Sequence, residues 1–372
     1  MATLAALGFE TAPACVRVTA SLPPAGDTVR DEALQQARGL ASDATLLVAV
    51  ADTPSDAQLA AWRDALWPEL HVVQILRPRA DGLARETLQG SAPVAGVGPD
   101  ALADVTLVAR RREHVLAPDF TVEKFDANAK GWNGDPGSPG YAHFRWMRRY
   151  VADFAGSVPA ERILDFGCGA GWVGIEAALK RPKAELCAFD PSPAMVRTFE
   201  DNAGDLGLTR FLGRTGFGED PPFPAGDEAP FDLVLSSGVI SFSPDAERWL
   251  DGLVGTLQGG ATLVIGDLHP GSRGMRARRR RRPLLPVREL NARYAADVRA
   301  GLEARGLRFE GGAGYQLTSP MPQAMYVNET RLGGILTRPL LWTNQTCTAL
   351  DRMFGGALGA QFDSWVMRFT LP

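Results

Sequence analysis

The chain has few cysteines, few lysines and few histidines, and it has no long apolar run. Cys15, Cys168, Cys187 and Cys347 are its only thiols in 372 residues. None of them forms a C-x-x-C pair, which argues against a disulfide framework or a zinc site and fits a reducing cytoplasm. Lysine occurs only at 124, 130, 180 and 183 among 39 basic residues, a bias that reflects genome composition before function. No stretch nears the ~18 apolar residues of a membrane-crossing helix. A leader peptide is not expected. Ala12-Pro13-Ala14-Cys15 has a lipoprotein-like outline, but no Lys or Arg precedes it and Glu10 interrupts the apolar stretch. The net charge of −4 excludes a surface built as a whole for nucleic acid.

What remains is an ordinary globular composition in a chain long enough for two domains. Residues 1–115 alternate strand and helix. Val16–Ala20, Ala44–Ala51, His71–Leu76 and Val105–Ala109 read as strands, with helices at Thr28–Leu40 and, capped by Ser55, at Ser55–Leu66. A Gly/Pro-rich connector carries Phe125, Trp132 and Tyr141 and leads into a helix at Tyr141–Phe154.

The most informative run is Ile163-Leu164-Asp165-Phe166-Gly167-Cys168-Gly169-Ala170-Gly171-Trp172. An apolar strand ends in an acid, three glycines follow at alternate positions, and an Ala/Leu-rich helix begins. Glycine suits a sharp turn that lets a ligand approach the backbone, and a new helix aims free N–H groups at that ligand. About 20 residues on, a second strand (Leu186–Phe189) ends in Asp190, placed for ribose hydroxyls. The glycine spacing alone leaves the nucleoside open, because Gly174 also completes a dinucleotide-type G-x-x-G from Gly171.

Downstream, Phe231-Asp232-Leu233-Val234-Leu235-Ser236-Ser237 is a strand entered through Phe-Asp, and Gly259-Gly260 turns a helix end into a strand at Thr262–Ile265. From about residue 120 onward the series resembles the class I S-adenosylmethionine-dependent methyltransferases, small-molecule type. The resemblance implies an α/β fold: a Rossmann-like seven-stranded sheet over residues 159–372, with a cap insertion at about 315–360 holding a helix near Thr346–Phe354. Residues 116–158 form the linker and lid. Ahead of them stands the smaller α/β domain, a degenerate methyltransferase half or an unrelated accessory module.

The resemblance also implies S-adenosylmethionine as cofactor and S-adenosylhomocysteine as product. Asp165, Gly167, Cys168, Gly169, Gly171, Asp190 and Pro191 line its methionine and ribose, and Gly218, Glu219, Ser236 and Ser237 lie near the adenine and the strand ends. Phe217 stands where many members carry an acid. Trp132, Tyr141 and His143 are expected in the lid and substrate pocket. His269, after the fifth strand, is the candidate base, against a plain loop histidine. The run Arg276–Arg282, with Arg278 at the pocket edge, suits an anionic small-molecule or glycolipid-like acceptor, or phosphates in an RNA methyltransferase reading. A cofactor-binding scaffold without catalysis is the remaining rival. A nicotinamide oxidoreductase is disfavoured by the motif order.

Overall fold

The structure, a computed structural model, describes residues 14–19, 21, 35, 39, 45–66, 70–87, 90–94, 97, 102–111, 122, 125–126, 129–133, 141–223, 230–276, 293–317, 331–356 and 359–372. The chain divides into two compact units that part near residue 121.

In the first unit, β1 (Ala14–Val18) and β2 (Thr45–Val50) are parallel neighbours. α1 (Asp56–Leu66) starts on a reciprocal cap: Gln58 N donates to Ser55 Oγ at 3.3 Å, and Ser55 N donates to Gln58 Oε1 at 2.9 Å. Its Leu59, Trp62 and Leu66 are buried at helical spacing against the strands. β3 (Leu70–Arg79), β4 (Gly82–Thr87), β5 (Gly90–Pro93) and β6 (Val105–Arg111) complete a sheet ordered β1-β2-β6-β3-β4-β5. Every pairing after the first is antiparallel.

The sequence does not announce β4 and β5, because residues 80–93 are poor in β-branched side chains and carry no alternation. Pairing across the tight Ala80-Asp81 turn makes them strands. Most of the helix expected at 28–40 lies outside the described residues.

The second unit opens with α2 (Tyr141–Phe154), then β7 (Arg162–Phe166), α3 (Trp172–Leu179), β8 (Glu185–Asp190), α4 (Pro193–Asp205) and β9 (Phe211–Thr215). β10 (Phe231–Ser237), α5 (Ala246–Gly255), β11 (Leu257–Leu268), α6 (Ala295–Ala304), β12 (Arg308–Leu317), α7 (Arg331–Met353) and β13 (Phe362–Thr370) follow. The seven strands stand in the order β12-β13-β11-β10-β7-β8-β9. All pairs are parallel except those of β13, which runs antiparallel between β11 and β12. The stretch β10-β11-β13-β12 therefore has the same sequence of pairings as β1-β2-β6-β3: one parallel, then two antiparallel, with the strand latest in the chain inserted between the two before it. In the first unit β4 and β5 extend the sheet beyond β3.

Alternate residues of the central strands feed two cores, one on each face of the sheet. Leu164 and Phe166 face α5 and α6 with Trp249, Leu253 and Leu302, whereas Ile163 faces α2, α3 and α4 with Val151, Ile175 and Phe199. The first core is aromatic at its top, where Phe166 lies edge-on to Phe189 at 4.6 Å and to Trp249 at 5.0 Å.

Two elements differ from expectation. Gly259-Gly260 is an irregularity inside a longer β11, with Gly260 at φ 83°, and not a turn before it. The cap helix α7 spans 23 residues through Pro339, whose ring and missing N–H make the segment read as a break; Thr343 Oγ1 donates to the Pro339 carbonyl at 2.9 Å. The helix covers the open edge of the sheet. Asp351 Oδ2 accepts from Gly314 N at 2.7 Å, and Asn344 Oδ1 accepts from Leu317 N at 2.9 Å, so N–H groups of edge strand β12 are satisfied by side chains.

Trp249 is 2% exposed and packs both on Phe166 and beneath Gly218. Trp249→Ala is expected to cost about 3–5 kcal/mol, read as a lower denaturant midpoint of the full chain.

Candidate functional site

The site lies at the carboxyl ends of β7, β8 and β10, where open α/β sheets bind ligands. Gly167, Gly169 and Gly171 have φ of 75°, 52° and 83°, all in the left-handed region that disfavours a side chain. A Cβ on Gly167 would lie 2.5 Å from Val239, and one on Gly171 would lie 2.3 Å from Phe199. A Cβ on Gly169 would meet nothing within 4 Å, so the middle of the loop borders open space.

Two carboxylates build the loop. Gly171 caps α3 without a side chain, and Asp165 takes over: its Oδ2 accepts from Gly174 N at 2.8 Å. A Cβ on Gly174 would lie 2.8 Å from that carboxylate, which accounts for the fourth glycine. Asp190 Oδ2 accepts from Gly169 N and its Oδ1 from Ser192 N, both at 2.9 Å. Pro191, half-buried, lies between these contacts. Each Asp190 oxygen keeps a further lone pair for a hydroxyl donor. Burial pushes the Asp190 carboxyl up to about 6 and that of Asp165 up to about 7, the latter also raised by Asp190. Burial and the same two acids hold the Cys168 thiol well above its usual range, so it is no nucleophile. Its Sγ contacts the Gly169 carbonyl at 3.3 Å.

The other expected residues divide by orientation. Gly218 is buried against Trp249, with 2.3 Å from its would-be Cβ to Nε1, and Glu219 accepts a hydrogen bond from Ser243 Oγ. Phe217 is partly exposed beside them. Ser236 donates inward to the Phe166 carbonyl at 2.9 Å, so its hydroxyl ties β10 to β7 and does not face the edge. Ser237, one residue on, lies near the Tyr315 hydroxyl. His269 Nδ1 accepts from Gly271 N at 3.1 Å, and burial lowers its pKa. With Nδ1 so engaged the neutral ring carries its proton on Nε2 and offers a donor, not a base.

The segment before α2 reaches over the loop. Trp132 pairs with Phe125 (5.7 Å) and Phe125 with Phe242 (5.0 Å). Asn202 Nδ2 donates to both Asn133 Oδ1 and the Ala170 carbonyl at 2.8 Å, and Asp126 Oδ1 accepts from Ser192 Oγ and from Ala194 N. Asp126 was not singled out in the sequence; only its fit to the start of α4 reveals it. Tyr141 stacks on Phe144 at 6.1 Å. His143 is 1% exposed, its Nε2 lies 2.6 Å from Asn344 Nδ2, and burial with nearby Arg148 lowers its pKa to about 4, leaving it neutral. Arg276 bonds the Gly271 carbonyl; the rest of the arginine run, Arg278 included, lies outside the described residues.

A family model described as a methyltransferase domain matches residues 164–263. The chain is 36% identical over 107 residues to nocamycin O-methyltransferase of Saccharothrix syringae, covering 28% of this chain and 37% of that one. It is 34% identical over 109 residues to aklanonic acid methyltransferase DauC of Streptomyces sp. (strain C5), covering 29% and 48%. Over 196 residues it is 30% identical to the biotin biosynthesis bifunctional protein BioCD of Bordetella avium, covering 50% and 38%. The matched stretches thus span less than half the length of these relatives. With the sheet order and glycine loop above, residues 164–263 are a class I S-adenosylmethionine-dependent methyltransferase domain, and S-adenosylmethionine is its cofactor.

Asp165 binds its proton more tightly in the folded chain than at its usual value of 3.8, so its contribution to stability is complete below about pH 4 and is lost as pH rises through about 7. Asp165→Asn keeps an acceptor for Gly174 N and removes the titration. Between pH 5 and 8 the wild type is expected to lose more than ~1 kcal/mol of unfolding free energy relative to this variant, measured by urea denaturation. His269→Ala is expected to leave S-adenosylhomocysteine affinity within about twofold and turnover within about tenfold, measured by calorimetry and by transfer of labelled methyl.

Proposed function

We propose that the whole chain transfers a methyl group from S-adenosylmethionine to a small-molecule acceptor at the carboxyl edge of the second sheet. The observation that carries this reading is the Asp190 carboxylate, fixed by two backbone N–H groups beside an open, left-handed Gly169. Its remaining lone pairs suit the vicinal hydroxyls of a ribose. The start of α3, with Gly174 N already satisfied by Asp165, suits the carboxylate of the cofactor's methionine.

Bound there, the sulfonium supplies an electrophilic methyl group whose transfer leaves S-adenosylhomocysteine. The protein's part is to orient the acceptor in line and to exclude water. The cluster Phe125, Trp132 and Phe242 supports the second task. The names of the relatives support a small or carrier-borne acceptor: nocamycin, aklanonic acid, 2-phytyl-1,4-naphtoquinone and malonyl-[acyl-carrier protein]. Among the described residues no helix is long and apolar enough to cross a membrane.

Calorimetric titration tests the reading. S-adenosylmethionine and S-adenosylhomocysteine are expected to bind and NAD not to bind. Asp190→Ala is expected to weaken both by roughly ten- to hundredfold, the worth of a hydrogen bond to a charged group at about 1.5–3 kcal/mol. Absence of binding by either in the wild type would overturn the proposal.

A further inference from the structure

α2 carries three arginines within five residues, and only two have a carboxylate. Arg145 and Arg149 share the two oxygens of buried Glu176 on α3. Arg148 makes no ion pair among the described residues. Among the described residues its one hydrogen bond is Nη1 to the Phe144 carbonyl at 3.5 Å, the outer limit for such a contact. Yet the guanidinium is deeply desolvated, enough to lower its pKa to about 10, while part of the side chain stays open to solvent. A desolvated cation without an anion among the described residues is a costly arrangement for a position with no ligand.

The guanidinium carbon lies 3.8 Å from the centroid of the Phe144 ring, which covers one face of the group and leaves its N–H edge free in the plane. Tyr141 stacks behind Phe144. Arg148 also acts electrostatically on the buried Tyr315 of β12, whose hydroxyl lies near Ser237 and Ser364. A Cβ on Gly266 would lie 3.6 Å from that hydroxyl. Gly266 and Ser237 are paired near the carboxyl ends of β11 and β10, so the Tyr315 hydroxyl stands at the same carboxyl edge of the sheet as the glycine loop. His143, on the same helix and within reach of the same charge, accepts at Nε2 from Asn344; its Nδ1 then carries the proton, is buried and has no partner among the described residues.

We propose that Arg148, with Tyr315 and His143 beside it, binds a carboxylate of the methyl acceptor; this rests on the methyltransferase reading above. The planar edge of a guanidinium matches a carboxylate in two parallel hydrogen bonds. A single carboxylate fits the local charge better than a phosphate dianion. The three arginines of α2 carry three positive charges; Glu176 offsets one and the Asp267 carboxylate, which acts on Tyr315, a second, leaving one for a single carboxylate. Phe144 and Tyr141 favour an acceptor with a flat apolar body next to its acid group.

The test uses the full chain saturated with S-adenosylhomocysteine, with benzoate, benzamide and inorganic phosphate as probes, followed by ligand-observed NMR. Benzoate is expected to bind saturably and at least tenfold more tightly than benzamide or phosphate. Arg148→Gln is expected to weaken benzoate at least tenfold, and Arg148→Lys less, with S-adenosylhomocysteine affinity within twofold of wild type in both. Tyr315→Phe, which removes only a hydroxyl, serves should the arginine variants fail to fold, and is expected to weaken benzoate several-fold. Benzoate binding unchanged in these variants, or phosphate binding as tightly as benzoate, would overturn the carboxylate assignment. Failure of S-adenosylhomocysteine to bind the wild type would instead remove the methyltransferase reading beneath it.

Discussion

Two backbone N–H groups, from Gly169 and Ser192, converge on the carboxylate of Asp190 at the end of β8. The glycine loop belongs to β7 and the turn before α4 belongs to β8, so this one side chain locks neighbouring βα connections together. The Asp190 carboxylate anchors the middle of the left-handed loop at Gly169 N, where a side chain would meet nothing within 4 Å. Asp165 performs the matching task beneath, at the start of α3. Both acids are desolvated by the very packing that orients them, and for that reason their pKa values rise. The geometry of the cofactor cradle and the electrostatics of the sheet end are one arrangement.

The parts of this arrangement that read directly from the sequence are those built from neighbours in the chain. β7, the turn and α3 occupy the positions expected of them because the strand, the three glycines and the helix are consecutive, and α2 spans Tyr141–Phe154 as its spacing implies. Residues whose meaning depends on distant partners were less legible. Ser236 and Ser237 are adjacent and chemically identical, yet strand alternation turns the first toward Phe166 and the second toward Tyr315. His269 follows a strand at the ligand edge, as a base would, but Gly271 N engages the nitrogen that would have accepted the proton. Arg148 looks like any arginine in an arginine-rich chain until Glu176 is seen to serve its two neighbours.

α2 and α7 show how an appended helix becomes part of a site. Asn344 accepts from Leu317 N on edge strand β12 and donates to His143 on α2. One amide side chain thereby closes the sheet edge, fixes the position of α7 against α2 and sets the tautomer of a buried histidine. Neither helix belongs to the matched stretch 164–263. Under the acceptor reading proposed above, such a division lets acceptor preference change while the matched domain stays constant.

The insertion of β13 between β11 and β12 sets an order of assembly. During synthesis β11 and β12 emerge before β13, and in the finished sheet they do not pair with each other because β13 lies between them. Their facing edges must wait, open, until Phe362–Thr370 arrives and supplies hydrogen bonds to both. The same delay operates in the first unit, where β6 enters between β2 and β3. A nascent chain of this protein therefore passes twice through a stage with an exposed slot of strand width, and each unit locks by the closing of a gap from within, not by growth at a rim.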